Sequence, residues 1–184
     1  MKRFTAGKII LTLLIAALTS GVSFGANTAT STVRIVIEGG DLSLFASDIN
    51  FTPIDLAKGE SRAFAQNTLS ISDPTGTGAG WNVTARATDL VSAEGNRIPI
   101  DKASFQIKQL ELDAGSYGRA EDKMPSGIGK PLYLKGRDQK VVFAKRMAGM
   151  GKFELKPNYE LVIPKDAVAG KYTSKVTFTI FQGP

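Results

Sequence analysis

Trp81-Asn82-Val83-Thr84-Ala85-Arg86-Ala87-Thr88 is the stretch on which the fold turns: apolar residues stand at every odd number and polar ones between them. A period of two is the period of a strand, and it places Trp81, Val83, Ala85 and Ala87 on one buried face. Trp81 is the only tryptophan of the chain. With apolar partners at alternate positions, its default place is the core rather than an exposed ligand platform.

The same period recurs on both sides. Upstream, Val33, Ile35 and Ile37 alternate with Arg34 and Val36 and stop at Gly39-Gly40-Asp41. Leu42 with Leu44, then Ile49 with Phe51, follow in short pieces before Pro53, and Leu69 and Ile71 alternate with serines up to Asp73-Pro74. Downstream, Phe105 and Ile107 mark a strand that Leu110 and Leu112 either continue or follow. Val141-Val142-Phe143, Phe153 with Leu155, and 159–163 before Pro164 read as further strands. A last run, 171–181, places Tyr172, Ser174, Val176, Phe178 and Ile180 on one face, with core as the default for Tyr172 and Phe178. Roughly eight to ten short strands separated by turn signals, with no long helical period, predict an all-β single domain, a β-sandwich or a barrel-like sheet. The Gly- and Pro-bearing stretch 113–131 predicts a long irregular insertion.

The N-terminus has a different character. Met1, Lys2, Arg3 and Lys8 precede an apolar run over 9–18 and then small residues, the layout of a secretory signal peptide. A membrane-spanning helix takes about 20 apolar residues, so this run predicts a cleaved leader rather than an anchor. Ser23 and Gly25 place the expected cut between Gly25 and Ala26, leaving 26–184 as one exported domain. No later run is long enough to span a bilayer and the C-terminal residues carry no sorting tail, so any attachment is expected to be noncovalent.

Composition narrows the chemistry. The 184 residues contain neither cysteine nor histidine. Disulfides, thiol nucleophiles and thiolate metal sites are thereby excluded, as are Ser-His-Asp and Cys-His catalysis and nearly every zinc arrangement. A pair of carboxylates or a Ser-Lys pair survives as a catalytic possibility, but no spacing singles one out. No EF-hand loop is present. The expectation is a binding protein without catalytic residues, metal or cofactor. Gly76-Thr77-Gly78-Ala79-Gly80 superficially resembles a phosphate cradle, but it leads into a strand instead of a helix and lacks a Gly-Lys-Ser/Thr ending. A tight turn is the better reading.

The charge of +6 is uneven. Removing Lys2, Arg3 and Lys8 with the leader leaves +3. Segment 119–152 holds nine basic residues against Glu121, Asp122 and Asp138, while 26–118 is net acidic. Lys130, Lys135, Arg137, Lys140, Lys145, Arg146 and Lys152 therefore form either a solvated face or a contact with anionic polymers, with Lys140, Lys145 and Arg146 as the candidate contacts. The stretch lacks the exposed aromatic pattern that stacks bases, so nucleic acid is not expected as a partner.

Asp73-Pro74-Thr75-Gly76-Thr77-Gly78-Ala79-Gly80-Trp81-Asn82-Val83 resembles the first signature of the WxL surface proteins of Gram-positive bacteria, with Val83 in place of the final leucine. Ala144-Lys145-Arg146-Met147-Ala148-Gly149-Met150-Gly151-Lys152-Phe153-Glu154-Leu155, then Leu161-Val162-Ile163-Pro164 and Ala169-Gly170-Lys171-Tyr172, follow in that family's order. Where the family ends on a second Trp-x-Leu, this chain has Phe178-Thr179-Ile180. The resemblance spans roughly residues 35–184. It implies an exported protein held noncovalently on the cell wall, with peptidoglycan or an associated polymer as ligand and membrane-anchored WxL-interacting proteins as partners. It also implies that Gly76, Gly78, Gly80, Trp81, Val83, Tyr172, Phe178 and Ile180 frame the binding surface. Two other readings stay open: a subunit of a surface complex that uses a sheet edge, the last strand above all, and a carbohydrate-active enzyme working through two carboxylates.

Overall fold

The computed structural model of the chain describes residues 29–112 and 123–183. The segment read as a leader, 1–25, and the first part of the expected insertion lie outside the described residues. The chain falls into two compact units, Met1–Val36 and Ile37–Pro184. Of the first, the described residues 29–36 are exposed and carry neither strand nor helix.

The second unit is all-β, as the alternation predicts. In chain order its strands are β1 (Ser43–Ala46), β2 (Arg62–Gln66), β3 (Leu69–Asp73), β4 (Trp81–Ala87), β5 (Leu90–Ser92), β6 (Arg97–Ile98) and β7 (Ala103–Leu112), followed by β8 (Leu132–Tyr133), β9 (Gln139–Ala144), β10 (Gly151–Val162), β11 (Tyr172–Thr173) and β12 (Val176–Gln182). Every pairing among the described residues is antiparallel. The largest sheet runs β1-β3-β10-β7-β8, with β2 also paired to β10. A second sheet places β4 between β12 and β9, and a third places β5 between β11 and β6.

β10 organises the large sheet because alternation persists along its whole length: Phe153, Leu155, Pro157, Tyr159 and Leu161 are all buried. Residues 153–155 and 159–163, expected as two strands, are thus parts of one. The register against β7 shifts between Lys156 and Pro157. A bulge is where an interior strand tolerates a residue with no N–H to donate. Tyr159 stacks on Phe105 at 5.7 Å and meets Phe51 edge-on at 6.4 Å. Its hydroxyl donates to Asn67 Oδ1 at 3.0 Å, and Asn67 Nδ2 donates to the Ser47 carbonyl. Burial pushes the Tyr159 phenol well above its ordinary range.

Other expectations are corrected. Residues 33–37 join no strand ladder: Val33, Ile35, Val36 and Ile37 are 81–89% exposed. The last run breaks at Ser174-Lys175 into β11 and β12, which belong to different sheets. At the break Thr88 N–H donates to the Lys175 carbonyl, Lys175 N–H to Thr88 Oγ1 and Ser174 Oγ to the Thr88 carbonyl, so one polar knot hands the chain between sheets. The described part of the expected insertion, 123–131, is irregular but fastened. Ser126 bridges Phe143 and Gly129 N–H donates to the Ile107 carbonyl.

Candidate functional site

The stretch that resembles a family signature folds as a loop locked at one end of the β4 sheet. Asp73, buried at the end of β3, accepts from Thr75 N–H at 3.2 Å and from Thr75 Oγ1 at 2.6 Å, which turns the chain out of the large sheet. Thr75 and Thr77 hydroxyls meet at 3.0 Å, and Gln182 Nε2 from β12 donates to Thr77. Gly183 N–H donates to the Gly80 carbonyl, and Asn82 Nδ2 to the Gly183 carbonyl, each at 2.8 Å. Gly76, Gly78 and Gly80 all have positive φ, at 67°, 62° and 76°. Only Gly80 is also closed in by backbone, since a Cβ there would overlap the carbonyl oxygens of Ala144 and Lys145. The tight-turn reading describes this loop, and β4 follows it directly.

Against the loop lies the turn between β9 and β10. Met147 N–H donates to the Gly78 carbonyl at 2.8 Å, and Ala148 N–H closes the turn on the Lys145 carbonyl at 3.0 Å. Met147 itself holds a φ of 59°, the only positive value at a non-glycine among the described residues. Trp81 is fully buried beneath. Its Nε1 donates to the Gly149 carbonyl at 2.8 Å and its ring lies 6.1 Å from Phe153. Gly149 has a φ of 72°, and a Cβ there would overlap the Ala144 side chain and press on the indole nitrogen. Trp81 is therefore core, and its polar handle fastens the turn that carries Lys145 and Arg146.

Those two cations are exposed, and neither pairs with a described carboxylate. The structure thus joins two features more than sixty residues apart in sequence, the glycine loop and the Lys145-Arg146 pair. It does not join Lys140 to them. Lys140 stands on β9 opposite Thr84, roughly 15 Å away along the strand, with its ammonium 5.3 Å from the Phe143 ring. The register shift beside it, between Val83 and Thr84 on β4, leaves both Val141 and Val142 buried.

Val83 and Ile180, the ends of the two Trp-x-Leu-like segments, sit directly opposite each other on β4 and β12, and Phe178 sits opposite Ala85. Val83 is fully buried, Phe178 and Ile180 only half-buried. Tyr172 goes elsewhere: it borders an open groove of about 760 Å³ lined by Phe51, Pro53, Ile54, Leu90 and Ile98, and its hydroxyl donates to the Val168 carbonyl. Asp73, Met147 and Gly149 stand within the family-like motifs, the last two in a stretch that reads as a Gly-rich turn and strand, but sequence reasoning assigns none of them a role of its own and does not single out Gln182.

Among the described residues no group of three or more carboxylates collects as a metal site. The corner is a hydrogen-bonded rim that carries two exposed cations, Lys145 and Arg146, and the hydroxyls of Thr75 and Thr77. No family model and no curated relative matches the chain. Among solved structures, a family 123 glycoside hydrolase from Clostridium perfringens, from work on glycolipid glycan hydrolysis, overlaps it at 16% identity and a TM-score of 0.37. The overlap covers 76% of this chain and 24% of the hydrolase, so the chain spans about a quarter of that protein, and an overlap this slight carries nothing about chemistry.

Proposed function

We propose that this chain is an exported surface protein that binds noncovalently to the Gram-positive cell wall, and that the glycine-loop corner is where it meets an anionic wall polymer. The observation that supports the reading is the fastening of Lys145 and Arg146 onto the 73–83 loop through the Met147–Gly78 and Trp81–Gly149 hydrogen bonds. Ammonium and guanidinium groups held on a stiff turn lose less freedom on meeting an anionic chain than the same groups on a mobile segment. The hydroxyls of Thr75 and Thr77 on the same rim are bonded within the loop, to Asp73, to each other and to Gln182, and so hold the rim in place. Binding without turnover fits a sequence devoid of histidine and cysteine.

The experiment is a pull-down in which the purified chain is offered separately to washed sacculi and to the surface-exposed membrane proteins of its host. Retention by sacculi supports the proposal. Retention only by the protein fraction makes the chain a subunit of a surface complex, and release of soluble sugar from the sacculi makes it an enzyme.

A further inference from the structure

β12 is an edge. It pairs with β4 on one side, and among the described residues no strand pairs with it on the other; β1 lies near it but bonds only to β3. The direction of its free hydrogen-bonding groups follows from the register. Gly183 N–H bonds to the Gly80 carbonyl and Thr88 N–H to the Lys175 carbonyl, so odd-numbered residues of β12 turn their backbone groups toward β4. Val176, Phe178 and Ile180 then present their N–H and C=O groups to the free side. Their side chains pack on the core but stay half-buried, while Val83 and Ala85 on the neighbouring β4 are fully buried. A strand on the open side would complete both the ladder and the cover.

The chain also carries an unpaired stretch with the sequence pattern of a strand. Residues 33–37 have the alternation of a half-buried strand, with Val33, Ile35 and Ile37 on one face, yet these three are 81–89% exposed. An apolar run of this kind is what a sheet edge recruits. We propose that residues 33–37 of one copy add antiparallel to the free edge of β12 in a second copy, so that the chain assembles by strand addition.

Face and charge select the register. Val33, Ile35 and Ile37 continue the core-facing row only if they stand opposite even-numbered residues of β12. Setting Ile35 opposite Phe178 aligns Ile37 with Val176 and Val33 with Ile180. It also brings Glu38 opposite the exposed Lys175 on the outer face, an opposite-charge cross-strand pair. Arg34 then faces Thr179 at a non-hydrogen-bonded position, where Cα atoms approach to about 4.5 Å, within the range a disulfide spans.

The absence of native cysteine makes the test clean. Chain purified from its host is prepared as Arg34→Cys with a heavy-isotope label and as Thr179→Cys without one, and the two are mixed under mild oxidation. The expected result is a mixed disulfide joining a heavy 34 peptide to a light 179 peptide, and concentration-dependent association of the wild-type chain in sedimentation. Ile35→Asp is expected to abolish that association while leaving the melting temperature unchanged at concentrations where the wild type is monomeric, because Ile35 is exposed and outside the folded core. A wild-type chain that sediments as a monomer across the whole concentration series overturns the proposal. So does an Ile35→Asp chain that associates as tightly as wild type, or a mixture of the two single-cysteine chains that yields no heavy 34 to light 179 disulfide.

Discussion

Trp81 and Arg146 lie on opposite sides of one clamp. Trp81, with Gly80 and Gly149, fills the inner side so completely that neither glycine has room for a methyl group. Lys145, Arg146 and Met147, on the outer side of the same turn, are exposed. The inner side fixes where the outer one stands, and the Lys145 and Arg146 side chains contribute almost nothing to holding the inner one together. Substitutions should therefore divide into those that unfold the domain and those that change only what the surface meets.

Trp81→Ala should give the largest loss. Truncating a buried aromatic costs about 3–5 kcal/mol, a large part of an ordinary domain's stability. Here it also leaves the buried Gly149 carbonyl without its donor. Urea unfolding followed by circular dichroism measures it, and a transition superimposable on wild type would erase the distinction between the two sides. Gly149→Ala comes next. A non-glycine residue at positive φ costs roughly 1–2 kcal/mol, and the overlap with Ala144 and the indole adds an overpacking term, so a total of at least about 2 kcal/mol is expected.

Tyr159→Phe asks whether a second buried aromatic with a polar handle behaves like Trp81. Losing the bond to Asn67 should cost about 1–2 kcal/mol at neutral pH. The pH dependence has a definite sign. The folded phenol holds its proton to higher pH than the unfolded one, which titrates near 10. Stability from this group is complete below about pH 10 and declines as pH rises from there toward the folded value, because the unfolded chain sheds the proton first. Wild type should lose this increment on alkaline titration and Tyr159→Phe should not, as urea midpoints between neutral and strongly alkaline pH will report.

The smallest effect on stability belongs to the outer side. Lys145→Gln with Arg146→Gln should change unfolding free energy by no more than about 0.5 kcal/mol, since both are exposed and pair with no described carboxylate. A larger loss, seen in the same urea experiment, would mean that the cations serve the fold.

How much of this was legible follows physical lines. Alternation over 81–87 announced both the strand and its buried face because local period and burial agree there. The same alternation over 33–37 announced a strand that has no ladder, since a period of two records competence for pairing and says nothing of a partner. Pro157 hid the continuity of β10, because the bulge that accommodates a proline depends on the neighbouring strand. The break at Ser174-Lys175 was equally invisible, being made by Thr88 from far along the chain. In the site, Trp81 as core and the glycines as a turn could be read locally. The meeting of the loop with Lys145 and Arg146, and of Val83 with Ile180, is long-range pairing, which one sequence does not display.

On the proposed function, the outer side of this clamp holds the chain on an anionic wall polymer. The direct measurement is the fraction bound to washed walls across a salt series, for wild type and for Lys145→Gln/Arg146→Gln. Exposed charges act over roughly 8–10 Å at physiological ionic strength and over less as salt rises. Weaker retention of the variant is expected at low salt, converging on wild type at high salt, with unfolding curves unchanged. Binding curves that superimpose at every salt concentration would contradict it and leave Lys145 and Arg146 as a solvated turn.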